Sequence, residues 1–160
     1  MLPEAFLAAI QPLPILEHLL ASGSASGGEL TKRVETIAGA AFVGLPVVDN
    51  SAYALFEAGL FYAVDALDSA HAVFQDDHSP EGSYWHGMLH RREGDFWNSK
   101  YWLQRAGRIA ALKGIPNFDP VAFVGRCERA SGQDSEELLS LQRTEWEHLM
   151  QAAYEKAIAG

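Results

Sequence analysis

Several patterns are missing or scarce in this sequence of 160 residues, and each scarcity excludes a class of protein. The chain contains a single cysteine, Cys127, so it has neither an intrachain disulfide framework nor a multi-cysteine metal site. No run of 18 apolar residues occurs, so no membrane-spanning helix is expected. Strand signals are confined to residues 41–48, where Gly44 and Pro46 interrupt the pattern, so no substantial β-sheet is expected.

Basic residues are also scarce. The chain has 12 Lys+Arg against 21 Asp+Glu, and its formal net charge is −9. An acidic surface repels phosphate groups, so nucleic acids and anionic membranes are not expected as partners. No Lys or Arg occurs between residues 34 and 90, whereas six occur between residues 91 and 113. We therefore expect the basic segment to lie against the acid-rich segment 34–81. At least one of four arginines should be partly buried in an ion pair: Arg91, Arg92, Arg105 and Arg108.

Signals for helix ends recur along the chain and predict an all-α protein. A long apolar stripe predicts one helix over about residues 52–77, and the Ser-Pro pair that follows ends it and begins the next helix. Gly94 suits the left-handed conformation that closes a helix, and Asp95 can cap the following one. Because this joint is short, the two helices should form an antiparallel hairpin over about residues 80–112. The predicted fold is a compact bundle of six or seven helices.

The length favours one domain over residues 1–160, in which residues 1–28 form a looser N-terminal helical segment and a Gly/Ser connector. The first residues lack the basic region of a secretory signal, and Pro3, Pro12 and Pro14 interrupt their apolar stretch. The cytoplasm is therefore the expected location. The sequence leaves the oligomeric state open.

The stretch from residue 84 to residue 107 resembles two helical patterns. It resembles a single tetratricopeptide or Sel1-type hairpin, except that His86 and His90 stand where that repeat has large apolar residues. It also resembles a family of bacterial and fungal all-helical proteins with no assigned activity. Their shared segment reads HxxxHRxEGDxxNxxYW, here from His86 to Trp102. This second resemblance covers about residues 52–157 and implies an all-helical fold with a site at the shared segment, but no reaction.

Histidines fall on two predicted helix faces that should meet. His86, His90 and Glu93 lie within about 60° of one another on one helix face. On the predicted long helix, four polar residues lie within about 80° of one another: Asp68, His71, Gln75 and His78. The turn at residues 79–80 folds the two helices against each other, so the two polar faces can meet inside an apolar frame.

Three interpretations of this cluster remain open. The first is a hydrogen-bonded network that fixes the register of the helices without chemistry. The second is a metal site for a divalent Zn, Fe or Mn ion. Its candidate ligands are His71, His86, His90 and Glu93. The third is a metal-free pocket in which a histidine acts as general acid or base and an arginine holds a small anionic molecule. The candidate arginines are Arg91, Arg92 and Arg105.

These interpretations define the candidate site. The candidate catalytic residues are His71, His90 and Glu93, and the candidate binding residues are Gln75, Arg91, Asn98, Tyr101 and Arg105. The preferred function is small-molecule binding or metal-assisted chemistry in a polar pocket between helix 52–77 and the hairpin. Whether the protein is an enzyme stays open. The alternative is a non-catalytic helical scaffold for protein–protein interaction, whose histidines form the structural network. The four tryptophans, Trp85, Trp97, Trp102 and Trp146, are expected to pack in the core or hairpin.

Overall fold

The structure is a computed structural model that describes residues 6, 8, 14–23 and 27–159. These residues form seven α-helices, two 3-10 helices and no strand, so the predicted all-α class is confirmed. The α-helices are α1 (Gly28–Ala41), α2 (Asn50–Ala63), α3 (Leu67–Phe74), α4 (Pro80–Glu93), α5 (Phe96–Ala106), α6 (Pro120–Ala130) and α7 (Glu136–Ala159). The 3-10 helices are Pro14–Leu16 and Ala110–Gly114. Much of the predicted N-terminal segment 1–28 lies outside the described residues.

One buried apolar cluster runs through all seven α-helices and places α2 at the centre of the bundle. It includes large aromatic side chains, and Trp85 and Trp146 are almost fully buried. The indole Nε1 of Trp146 donates to the carbonyl oxygen of Gly59 at 3.0 Å, so its polar atom has a partner inside the core. Within the described part of the chain, no helix combines the length and the apolarity needed to cross a bilayer.

The predicted single helix over residues 52–77 is wrong, because the chain breaks between α2 and α3. Asp65 adopts a positive φ of 61°. Its N–H donates to the carbonyl of Tyr62, and the next N–H, of Ala66, donates to the carbonyl of Phe61 at 2.9 Å. This is the paired hydrogen bonding of a Schellman ending. The buried Asp65 carboxylate also accepts from Nη2 of Arg92 at 2.6 Å, so a tertiary ion pair holds the break.

Helices α4 and α5 form the predicted hairpin. Ser79 caps α4 through its hydroxyl, which accepts from the N–H of Gly82 at 3.0 Å, and Asp95 caps α5 in the same way. Gly94 has a φ of 79°, as predicted. The hydroxyl of Ser99 donates to the carbonyl of Gly87 at 2.7 Å, which sets an antiparallel register. Helix α5 ends at Ala106, earlier than the predicted Leu112, because the chain leaves the helical conformation at the next residue and forms a 3-10 turn from Ala110.

The core side of α4 carries two buried arginines, which confirms the expectation of a buried ion pair. The guanidinium of Arg91 donates to both carboxylate oxygens of Glu145 on α7, at 3.3 and 2.5 Å. Arg92 pairs with Asp65, inside the acid-rich segment as expected, whereas Glu145 lies outside that segment. Burial by itself would lower the pKa of Arg91, but the Glu145 carboxylate raises it well above its ordinary value. Arg91 is therefore a permanent cation, and these pairs fix α4 against α2 and α7.

Candidate metal centre

Three histidines from two helices converge on one point. His71 comes from α3, and His86 and His90 stand one turn apart on α4, so both face α3. One ring nitrogen from each of the three lies within 4.8 Å of the other two. The Nε2 atoms of His71 and His86 are 2.9 Å apart. His86 and His90 are buried, at 5% and 9% exposed, while His71 is half-buried and connects the cluster to solvent.

Hydrogen bonds at both ring nitrogens orient His90. Its Nδ1 lies 2.9 Å from Oε2 of Glu93, and its Nε2 lies 3.3 Å from Nδ2 of Asn98. A carboxylate only accepts hydrogen bonds, so we assign the proton to Nδ1, which leaves a lone pair on Nε2. A histidine that donates Nδ1–H to a carboxylate has the orientation that is usual for a metal-binding imidazole. The Nε2 lone pair of His90 accepts from the Asn98 amide here, and a metal ion would have to displace that contact.

Glu93 therefore lies behind His90 rather than among the converging atoms. The sequence made it a direct metal ligand, but the group of ligand atoms that lie within 4.8 Å of one another consists of the three histidines alone. Its carboxylate accepts the Nδ1–H of His90 and is 39% exposed. The i, i+3 spacing on α4 brings it to the outer edge of that imidazole, which is the reason for the difference. Glu93 orients a ligand in this geometry.

His86 is held by packing instead of by a second hydrogen bond. Its ring stacks on the indole of Trp102 with centroids 4.2 Å apart and an interplanar angle of 28°. Its Nδ1 atom is buried without a hydrogen-bond partner. Burial, and then the neighbouring His90 and His71, lower the pKa of His86 from its ordinary value to about 4. His86 is consequently neutral at pH 7, which is the form of imidazole that binds metals.

One nitrogen–nitrogen distance in this cluster falls within the range that a first-row metal ion requires, and all three nitrogens lie within 4.8 Å of one another. Imidazole nitrogens bind Zn²⁺ at about 2.0–2.1 Å, so two ligand nitrogens are about 2.9 Å apart at a right angle and about 3.4 Å apart in a tetrahedron. The separation of 2.9 Å between His71 and His86 lies at the short end of this range. Three imidazoles leave at least one coordination position free, as in catalytic zinc sites. The arrangement can thus hold an ion with an open position on the half-buried His71 side.

Two predicted binding residues lie close to the cluster, and the others differ in their placement. Asn98 contacts His90, as described above, and Tyr101 is 47% exposed on α5. Gln75 is exposed at the end of α3, where its N–H donates to the carbonyl of His71. His78 lies past the end of α3 and lines a separate groove with Asp49, Asp77 and Lys156. The predicted polar stripe of the long helix therefore contributes only His71 to the group of converging ring nitrogens, since α3 ends at Phe74.

The three candidate arginines also differ in burial and in pairing. The prediction that Arg91 binds an external anion conflicts with its position, because it is fully buried, paired with Glu145 and packed over the Phe123 ring at 4.5 Å. Arg92 is likewise fully buried and paired. Arg105 is exposed, and its guanidinium lies over the Trp102 ring at 5.6 Å from the centroid. Of the three candidate arginines, Arg105 alone is accessible to a small anion.

One tryptophan was assigned correctly from the sequence and another wrongly. Trp102 packs in the hairpin as expected, where its indole stacks on His86, a candidate metal ligand. Trp97 was expected to pack in the core or hairpin, but it is 78% exposed. The contact of Trp102 with the histidines could have been found from the sequence. Asn98 and Trp102 are four residues apart, so they share the stripe of α5 that faces the histidines.

Comparisons with protein-family models, with curated proteins and with solved structures find no match for this chain. The resemblances read from the sequence therefore remain predictions, and the site is interpreted from its own geometry.

Proposed function

We propose that this protein binds one divalent transition-metal ion through His71, His86 and His90 and uses the ion to bind and polarise a small molecule. The observation that carries the proposal is the convergence of three imidazole nitrogens from α3 and α4 within 4.8 Å of one another. All three offer imidazole nitrogens, the type of donor that Zn, Fe and Mn sites use.

The environment of the three ligands supports a metal more strongly than a general acid or base. A general base needs one histidine near a substrate proton, whereas this cluster directs several nitrogens at one point. The lowered pKa of His86 removes competition from protons at neutral pH. The Glu93 carboxylate on Nδ1 of His90 fixes the tautomer and the orientation of that imidazole, as outer-shell carboxylates do in zinc proteins.

The chemistry that such a site supplies follows from its open position. A metal ion with three histidine ligands can lower the pKa of a bound water to about 7 or polarise a carbonyl or carboxylate oxygen. The half-buried His71 marks the side from which a small molecule would approach. The proposal therefore predicts Lewis-acid chemistry at the metal ion. Redox chemistry at an exposed thiol is not predicted, because the lone Cys127 is buried.

The test is metal titration of protein produced without a histidine tag and stripped by a chelator. We expect about one Zn²⁺ or Co²⁺ per chain by calorimetry and by elemental analysis after dialysis. Replacing His71, His86 or His90 with Ala should weaken binding by about 100-fold or more, because each removes one of three protein ligands. Circular dichroism of each variant separates loss of the ligand from loss of the fold.

His78→Ala and His148→Ala are the matched controls. His78 lines a different groove, and His148 contacts the carbonyl of Ala111. Neither substitution should change the metal stoichiometry. A stripped parent protein that takes up less than about 0.1 ion per chain at micromolar metal would overturn the proposal.

A second candidate is a helical scaffold in which the histidines form a structural hydrogen-bond network. The observation that favours it is the separation of 2.9 Å between the two Nε2 atoms, which is also a normal hydrogen-bond distance. In that case His71→Gln, which keeps a donor and an acceptor, should preserve the free energy of unfolding, and no metal should bind. The metal titration separates the two candidates.

A further inference from the structure

Helix α5 exposes an aromatic stripe beside the histidine cluster. Trp97, Tyr101 and Arg105 follow one another at intervals of four residues, so they share one stripe of the helix. Trp97 is 78% exposed and Tyr101 is 47% exposed. The adjacent stripe carries Asn98 and Trp102, which contact the histidines. The exposed stripe thus borders the candidate metal centre directly.

The aromatic rings form a continuous surface that leads to the site. The Trp97 and Tyr101 rings are nearly parallel, with an interplanar angle of 10° and centroids 6.3 Å apart. The Tyr101 ring meets the Trp102 ring edge-on at 5.5 Å, and Trp102 stacks on His86. We call Trp97, Tyr101 and Trp102 the aromatic ledge. A ring bound on its exposed part would lie next to the metal ligands, which makes the ledge continuous with the site.

A positive charge stands at the end of the ledge. The guanidinium of Arg105 lies over the Trp102 ring, and no ion pair joins it to a carboxylate among residues 14–23 and 27–159. The other two candidate arginines are neutralised in the core. On a chain of net charge −9, an exposed cation beside the candidate metal centre attracts an anion to that place.

We propose that the aromatic ledge and Arg105 select a small aromatic carboxylate as the molecule that binds at the metal, an inference that rests on the proposed function. Its ring packs on Trp97 and Tyr101, since aromatic rings bury large apolar areas and pair favourably. Its carboxylate is attracted by the metal ion and by the planar guanidinium, whose donors match carboxylate geometry. Aliphatic acids have the charge without the ring, and aromatic alcohols have the ring without the charge.

The experiment is calorimetric titration of the Co²⁺-loaded protein with three probes: phenylacetate, acetate and 2-phenylethanol. The Co²⁺ absorption spectrum reports whether a probe reaches the metal. We expect phenylacetate to bind about tenfold or more tightly than acetate, because it adds a ring for the ledge. Trp97→Ala should reduce this advantage to about threefold or less. Arg105→Gln should weaken both acids several-fold and leave 2-phenylethanol unaffected.

Val43→Ala is the matched control, because Val43 is 79% exposed and lies outside α5. It should leave the preference for phenylacetate unchanged. Each variant is first titrated with Co²⁺, so that effects on the metal and on the ring are separate. Equal affinities for phenylacetate and acetate, a full preference in Trp97→Ala, or 2-phenylethanol binding as tightly as phenylacetate would each overturn the inference while leaving the metal site standing. Failure to take up Co²⁺ would overturn both proposals.

Discussion

The two sides of helix α4 both bury polar side chains, but they differ in what satisfies those side chains. On the core side, Arg91 and Arg92 are fully buried, and each pairs with a carboxylate from another helix or turn. On the other side, His86 and His90 are buried with a third histidine opposite them, and no carboxylate lies among their converging nitrogens. The first arrangement is closed because its charges already have counter-charges. The second directs lone pairs at one point, which is the property that a cation requires.

The two sides of α4 therefore have different roles, one structural and one in the proposed metal binding. The ion pairs fix α4 against α2 and α7, and the caps at Ser79 and Asp95 fix the two ends of the hairpin. With α4 held in this way, its histidine side carries the contact between His90 and Glu93. Breaking the core side should therefore cost stability, and changing the histidine side should change metal binding.

The largest effect is expected at the pair of Arg91 and Glu145. Arg91→Met or Glu145→Leu alone leaves an uncompensated buried charge and should lower the free energy of unfolding by about 3–5 kcal/mol. The double variant should recover part of this loss, because two apolar side chains replace the pair, while the buried Tyr84 hydroxyl, which donates to Oε1 of Glu145, loses its acceptor. Urea denaturation of the four proteins gives the coupling energy as a double-mutant cycle. Additive losses in the cycle would mean that the two side chains stabilise the fold independently and not as a pair.

The next effect is on metal affinity. Glu93→Gln removes the carboxylate that accepts from Nδ1 of His90 and should weaken Zn²⁺ binding by about 10–100-fold. Glu81→Gln removes the same charge from the first turn of the same helix and serves as the control. If the two substitutions weaken binding equally, Glu93 acts through net charge alone.

A smaller effect is expected at the joint of the hairpin. Gly94 has a φ of 79° and open space where a side chain would begin, so Gly94→Ala adds backbone strain without a steric clash. We expect a loss of about 1 kcal/mol or more. Gly39→Ala in α1 is the matched control, because it also has open space but helical geometry, and it should be neutral or stabilising. Equal changes in thermal unfolding would contradict the assignment.

The smallest effect is the pH dependence of the metal-free protein. The pKa of His86 is about 4 in the folded state, below its ordinary value near 6.5. The unfolded chain therefore takes up this proton first, and stability falls as the pH drops from about 6.5 towards 4. Between pH 7 and pH 6 the His86 share should be about 0.7 kcal/mol. His86→Gln should remove it in urea titrations, while His78→Gln, at an exposed position, should not. The same dependence of the free energy of unfolding on pH in the parent protein, His86→Gln and His78→Gln would refute this assignment to His86.

Features that depend on local sequence could be predicted, and features that depend on tertiary partners could not. The cap at Ser79, the turn at Gly94 and the i, i+4 pair His86 and His90 follow from residue type and spacing within a few positions. The break at Asp65 could not be predicted, because neither glycine nor proline marks it and the Arg92 pair holds it. Glu145 could not be identified as the partner of Arg91, since 54 positions separate the two.

The same distinction between local sequence and tertiary partners applies to the candidate site. The convergence of His71, His86 and His90 was predicted from two helix faces and the turn between them, and the structure brings these side chains together. The exposure of Trp97 and the stacking of Trp102 depend on how α5 lies on α4, so residue type alone indicated packing. The position of Glu93 behind His90 depends on the direction of one side chain, which periodicity does not determine.

The central claim is that three imidazoles on the open side of α4 hold a metal ion, and X-ray absorption spectroscopy of the Zn²⁺-loaded protein tests it most directly. We predict a first shell of nitrogen and oxygen atoms at about 2.0–2.1 Å with the outer-shell scattering of about three imidazoles. His86→Ala should reduce that scattering by one imidazole. A spectrum without imidazole scattering, or one that His86→Ala leaves unchanged, would contradict the account.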